Sequence, residues 1–194
     1  MKLKVFKFRK VTSTNDIAIK LIKKKETSGI IYAEEQTRGR GTHGKKWISK
    51  NGNLFSSIFF QLKNNYPSYK EFAIINPVII AGIIEKYCEK ENVSLKFPND
   101  ILIKHKKICG ILQETVTLNR KKFLIIGIGI NVISNPKIIK KYKATNIMKE
   151  TNSKPSINEL ISKLVRSYES FFSKLKFYKY KSFKKKAEKI TLVY

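Results

Sequence analysis

Apolar residues in this chain gather into many short segments cut apart by turn-forming residues, and few segments are long enough for a helix. Residues 5–8, 29–34, 54–62, 93–97, 101–103, 107–114 and 122–131 read as strands. Helical spacing follows Ser13 and fades near Ser28-Gly29, returns over 69–91, and returns again from Ser156 to about residue 177. Strands and helices do not alternate strictly. The expected class is therefore α+β, with a mixed, mostly antiparallel sheet and helices packed on one face.

Local signals refine this reading. Ser13 with Asp16 resembles a capping box, and Ser156 with Glu159 forms the usual Ser-x-x-Glu pattern. Pro77 inside the second helix predicts a kink or a late start. Lys104-His105-Lys106 predicts a hairpin turn, and residues 134–150 read as irregular. Residues 178–194 form a basic helical tail.

With 194 residues, 42% of them hydrophobic, the chain suits one folded domain with a small appendage. No apolar run reaches bilayer-spanning length. The start alternates Lys with Val and Phe, unlike a secretory leader, and two cysteines make no disulfide framework; a reducing cytoplasm is expected. The net charge of +27 invites a nucleic-acid reading. Only five of the 41 basic residues are Arg, however, and Lys is spread along the whole chain, which fits compositional bias better than a dedicated footprint. A basic nucleic-acid-binding module stays open as a rival.

Three constellations carry chemistry. Residues 36–47 pack three glycines, His43, several cations and the only Trp into one loop after a strand. Glycines allow close backbone approach, and Arg and Lys supply charge for phosphate or carboxylate. The loop is neither a dinucleotide fingerprint followed by a helix nor a Walker A loop. A solvated hairpin tip is the bland alternative. Lys96-Phe97-Pro98-Asn99-Asp100 reads as a turn, or as an amide and a carboxylate offered to a nucleotide and a phosphate-bound metal. Gly127-Ile128-Gly129-Ile130-Asn131 places glycines in a buried strand, which marks either a β-bulge or a close ligand approach.

Taken in order, Ser13-Thr14-Asn15, the Gly39-to-Trp47 loop, Lys96 to Asp100, Lys107-x-x-Gly110-Ile111-Leu112 and Gly127-x-Gly129-Ile130-Asn131 resemble the catalytic domain of biotin protein ligases. The resemblance implies a class II synthetase-like biotin/lipoate ligase domain over 1–177, with 178–194 as tail and without a helix-turn-helix or complete C-terminal β domain. It implies ATP-dependent ligation of biotin, with Mg²⁺, to a lysine of a biotin carboxyl carrier protein through biotinyl-5′-AMP. A lipoate or octanoate ligase or transferase is the enzymatic alternative. No specific DNA or membrane partner is expected, and a homodimer is allowed.

By the same resemblance, Arg40 and Lys107 act in catalysis. Ser13, Thr14, Asn15, Gln36, Gly39, Arg40, Gly41, Thr42, Lys107 and Gly110 bind biotin, and Arg40, Lys45, Lys46, Trp47, Asn99 and Asn131 bind the nucleotide. No metal ligand is assigned, although Asp100 could act through phosphate-bound Mg²⁺. Cys109 receives no role as a nucleophile. Two departures stand out. The family loop reads Gly-Arg-Gly-Arg where this chain has Thr42, which implies a leakier adenylate unless His43 or Lys45 substitutes; Phe97 replaces a Trp.

Overall fold

In the computed structural model, which describes residues 1–88, 93–136 and 143–192, seven strands form one sheet. They are β1 (Lys4–Val11), β2 (Ser28–Gln36), β3 (Leu54–Gln61), β4 (Val93–Lys96), β5 (Asp100–Ile103), β6 (Lys106–Leu118) and β7 (Lys121–Ile130). Their order is β1-β2-β3-β7-β6-β5-β4. Only β1 and β2 run parallel; every other neighbouring pair is antiparallel. The mixed, mostly antiparallel sheet thus matches the expectation.

The turns follow from backbone chemistry. Lys104 and His105 both adopt left-handed φ (47° and 62°), as do Asn119 and Arg120 (48° and 60°). Two consecutive left-handed residues give the tight turns that match strand twist, so β5–β6 and β6–β7 are hairpins. The first helix, α1 (Thr14–Lys23), ends earlier than its spacing suggested. Lys25 takes a left-handed φ of 68° there, so the chain leaves the helix without a glycine. The capping box does not form: Ser13 is the N-cap, but its side chain makes no cap hydrogen bond. The Asp16 carboxylate is drawn instead to Arg40.

Helix α2 (Tyr69–Ile84) starts well before Pro77 and opens on a complete Ser68–Glu71 capping box. A 3₁₀ turn over Glu85–Tyr87 follows it, and residues 89–91 of the expected helix lie outside the described residues. The segment read as irregular contains a short helix, α3 (Ile147–Thr151), because the Asn146 side chain accepts from Lys149 N and caps it. Residues 137–142 of that segment lie outside the described residues. Helix α4 (Ile157–Ser173) begins at the expected Ser156 cap. Within the basic stretch after residue 177, α5 (Tyr180–Ile190) packs against α2 and buries Ala187. Thr191 then pairs with Leu95 beside β4.

Strand alternation sorts the core onto two faces. Ile30, Ile58, Phe60, Leu124 and Ile126 point to the side covered by α2, α4 and α5. Their neighbours Ile31, Phe59, Phe123 and Ile125 point to the other side, where they meet Ala18 and Ile22 of α1. The expectation of helices on one face therefore holds for the three long later helices, while α1 sits on the opposite face. That face matters most, because α1 covers only part of it. No helix among the described residues is long and apolar enough to cross a membrane.

One buried polar link ties the helical layer to the sheet. The Tyr168 hydroxyl donates to Asn76 Oδ1 (2.9 Å), and Asn76 Nδ2 donates to Gln113 Oε1 (2.8 Å). Tyr168→Phe strands the buried amide oxygen and should cost about 1–3 kcal/mol in urea unfolding. An unchanged unfolding midpoint would contradict the network.

Candidate active site

The uncovered part of the α1 face is floored by residues without side chains. Along β7, positions 123 and 125 carry Phe and Ile, whereas the next two positions on that face are Gly127 and Gly129. Gly129 pairs directly with Gly110 of β6, and Gly127 pairs with Ser57 of β3. The β6–β7 register runs without a shift, so the glycines do not mark a bulge. They mark close approach. A Cβ on Gly127 would lie 2.6 Å from Asn15 Oδ1, and one on Gly129 would lie 2.4 Å from the Trp47 ring.

Trp47 lies across this floor, since a Cβ on Gly110 would also strike its ring at 2.5 Å. Its Nε1 is buried with no hydrogen-bond partner among the described residues. The loop that delivers it is a tight hairpin. Trp47 N donates to Gly39 O (2.9 Å), Gly41 N donates to Lys45 O (2.7 Å), and Arg40 bridges to Lys46. His43 and Gly44 turn the tip with left-handed φ of 54° and 71°. Gly39 is needed at the base, because a Cβ there would lie 2.5 Å from Trp47 O. It packs the loop rather than lining the main cavity. The Gly41 amide is likewise spent inside the hairpin.

Two adjoining cavities result. The first spans about 460 Å³, part of it open to solvent. Of the residues assigned to biotin, Ser13, Thr14, Asn15, Gln36, Arg40, Gly41, Thr42, Lys107 and Gly110 all border it, and Gly39 does not. The second is bordered by Lys45, Lys46, Trp47, Asn99 and Asn131 of the nucleotide set, with Asp100 and Lys107, but not by Arg40. Gly41, Thr42, Trp47, Asn99 and Lys107 border both and form the partition.

Inside the first cavity the polar groups are held by one another. Gln36 Oε1 accepts from Thr14 N (2.8 Å) and Thr14 Oγ1 (3.2 Å), and its Nε2 donates to Ser49 Oγ (3.0 Å). Ser57 Oγ lies 2.7 Å from Thr14 Oγ1 and donates to Asn15 Oδ1. Arg40 Nη2 meets Glu114 Oε2 at 2.9 Å and Asp16 Oδ1 at 3.0 Å, and Asn15 Nδ2 donates to the same Glu114 oxygen (2.7 Å). Lys107 Nζ sits 2.6 Å from Asp100 Oδ1 and 5.4 Å from the Trp47 ring centroid. Asn99 Nδ2 donates to Thr42 Oγ1 (3.3 Å), linking the loop to the turn before β5.

The second wall is braced from behind. Lys107 exchanges backbone hydrogen bonds with Lys143 and Thr145, and Asn131 Nδ2 donates to Thr145 O (2.9 Å). Among the described residues no three His, Cys, Asp or Glu side chains gather into a metal site, and the Asp100 carboxylate is already paired with Lys107.

Sequence reasoning missed Asp16, Ser57 and Glu114 as site residues. Glu114 carried a usable signal, being an acidic residue on the glycine face of a strand in a strongly basic chain. It also missed Asn53, whose Oδ1 accepts from the backbone of Val132, Ile133 and Ser134 and so sets the exit of β7. Burial pushes the Cys109 thiol far above its ordinary range, so it stays protonated at neutral pH and is no nucleophile.

Two measurements check this geometry. Gly129→Ala forces the indole off the floor and should red-shift the emission of the single tryptophan, with about 1–3 kcal/mol of lost stability. An unshifted spectrum would place Trp47 elsewhere. In native protein at pH 8, a thiol-reactive disulfide reagent should modify half-buried Cys88 and spare Cys109 until the chain unfolds. Equal rates for the two thiols would refute the burial.

The Biotin/lipoate A/B protein ligase family matches residues 5–131. The bifunctional ligase/repressor BirA of Escherichia coli is 31% identical over 63% of this chain and 38% of its own length. That of Bacillus subtilis is 34% identical over 65% and 39%. The chain thus spans about two fifths of the length of these curated relatives. The solved biotin protein ligase of Aquifex aeolicus, in complex with biotin and ATP, superposes with a TM-score of 0.77 at 28% identity, over 97% of this chain and 78% of that one. The Leishmania major biotin protein ligase, at 23% identity and a TM-score of 0.86 over 97% and 81% of the two chains, shares the fold. With nearly two thirds of its residues under the family match, and with the glycine floor and cationic loop inside that match, the chain belongs to the biotin/lipoate A/B protein ligase family.

Proposed function

We propose that this chain joins biotin to a lysine of a biotin carrier domain at the expense of ATP. One observation carries the reading: Arg40 and Lys107 border one small cavity that adjoins a second cavity across Trp47. Two anions must meet for such a reaction, and two cations beside the meeting point offset their repulsion.

In the first step a carboxylate oxygen of biotin attacks the α-phosphorus of ATP, and pyrophosphate leaves. In the second, the carrier's lysine amine attacks the acyl carbon of the mixed anhydride, and AMP leaves. On this reading the first cavity takes the vitamin. Asn15 faces its head group from over Gly127, Lys107 holds its carboxylate, and Arg40 spans carboxylate and α-phosphate. The second cavity takes the nucleotide, with Lys45 and Lys46 toward the phosphates. A divalent cation would arrive on those phosphates. The same reading makes a biotin carboxyl carrier protein the partner and a reducing cytoplasm the setting.

The family name covers lipoate ligases as well. Curated relatives from Paracoccus denitrificans (26% identical) and Mycobacterium tuberculosis (28% identical) are both named biotin–[acetyl-CoA-carboxylase] ligases, which favours biotin over lipoate or octanoate. The nucleic-acid module is not favoured, since the cations that matter line a ligand-sized cavity.

Incubation with biotin, MgATP and a biotin carrier domain should add one biotinyl mass to the carrier lysine, and lipoate should not replace biotin. Arg40→Ala should lower biotin-dependent pyrophosphate exchange about 10²–10³-fold, and Lys107→Ala by less. Full exchange by Arg40→Ala would remove Arg40 from the chemistry. Thr42 offers the loop a hydroxyl bonded to Asn99 in place of a guanidinium. The wild-type protein should therefore release biotinyl-5′-AMP to solution faster than Thr42→Arg, measured by chasing labelled adenylate; equal release rates would show that position 42 does not retain it.

A further inference from the structure

On the helical side of the molecule, away from the glycine floor, α2, α4 and α5 leave an open groove enclosing about 1660 Å³. Its floor is apolar and firmly built. Ile79 lies on the α2 side, and Phe171 makes edge-on contacts with Tyr178 and Phe183 at 6.0 and 5.7 Å between ring centroids. Phe177 stands at one end with 71% of its surface exposed. The rim carries Lys86, Lys163, Arg166, Lys174, Lys179 and Lys186, and among the described residues no acidic side chain borders the groove. Among the described residues only Lys163 of these six is in an ion pair, with Glu159.

Gly82 adds a second, independent observation. It lies inside α2 and borders the groove, and a Cβ there would meet nothing within 4 Å. Among the described residues nothing in the packing requires a glycine at that position. A glycine inside a helix costs about 1 kcal/mol relative to alanine. Its one structural consequence is a notch where another backbone can approach α2 closely.

We propose that this groove docks an amphipathic helix of a partner protein, with acidic residues on its polar face. Its apolar stripe would lie on the aromatic floor, its backbone would pass over Gly82, and its carboxylates would meet the cationic rim. The occupant follows from shape and charge together. A groove apolar on its floor and bordered by six cationic side chains matches a helix with a Leu-type stripe flanked by Glu. A nucleic acid or lipid surface would use the cations but would leave the notch at Gly82 unused.

The test uses the full chain and a fluorescein-labelled model helix of roughly 18 residues, Leu on one face and Glu on the other. Fluorescence anisotropy should report saturable binding that weakens with salt, and a helix with the same apolar face but Lys in place of Glu should not bind. Gly82→Leu fills the notch from a Cβ that meets nothing within 4 Å, so its thermal midpoint should hold or rise while peptide affinity falls about tenfold or more. The pair Arg166→Glu and Lys174→Glu should weaken binding similarly while circular dichroism stays unchanged. Unaltered peptide affinity in Gly82→Leu would overturn the proposal. So would binding of heparin or phosphatidylserine vesicles that the model helix fails to displace and that the charge reversals abolish.

Discussion

The site depends on three side chains that are not there. In a sheet, every second residue faces the same side, so a strand that is apolar at each position fills both faces. β7 does this on its helical face through Leu124, Ile126, Ile128 and Ile130, all buried. On the other face it stops after Ile125, and Gly127 and Gly129 leave the backbone bare, with Gly110 beside them on β6. The loss of packing there is what makes room for Asn15, for the Trp47 ring and for a ligand. A methyl group at any of the three positions would collide with one of those side chains.

Around that floor the charges come in balanced sets. Arg40 rests between Asp16 and Glu114, and Lys107 rests on Asp100. The cavity of a strongly basic protein is thus not simply a positive well. An entering carboxylate or phosphate would compete with these resident carboxylates for the same cations. The Arg40 group is well exposed, so this competition takes place in a screened environment and favours geometry over raw attraction. Asn15 couples the two halves of the arrangement, since its amide contacts Glu114 on one side and Ser57 on the other.

Much of this was legible from residue order. The strand segments, the turn at Lys104-His105, the Ser156 cap and the grouping of Ser13 to Asn15 with Arg40, Lys107 and Gly110 all have local or motif signals. What lay beyond reach was relational. Ser13 and Asp16 have capping-box spacing, but Asp16 is claimed by an arginine 24 positions later, which no local rule foresees. Glu114 is one more strand residue until the register puts it on the glycine face. Gln36 and Asn131 were read as ligand contacts; each is also a brace, because the backbone ends they hold would otherwise be unsatisfied. The placement of α1 on the face opposite the other helices needed the strand order, which spacing alone does not supply.

The most direct measurement is a crystal structure of the chain with biotin and a non-hydrolysable ATP analogue. The account predicts the fused rings of biotin over Gly127 beside Asn15, its carboxylate within hydrogen-bond reach of Lys107, and the nucleotide across Trp47 with Arg40 turned from Asp16 and Glu114 toward the α-phosphate. Biotin bound away from the glycine floor, or a nucleotide seated on a different face of the sheet, would contradict it.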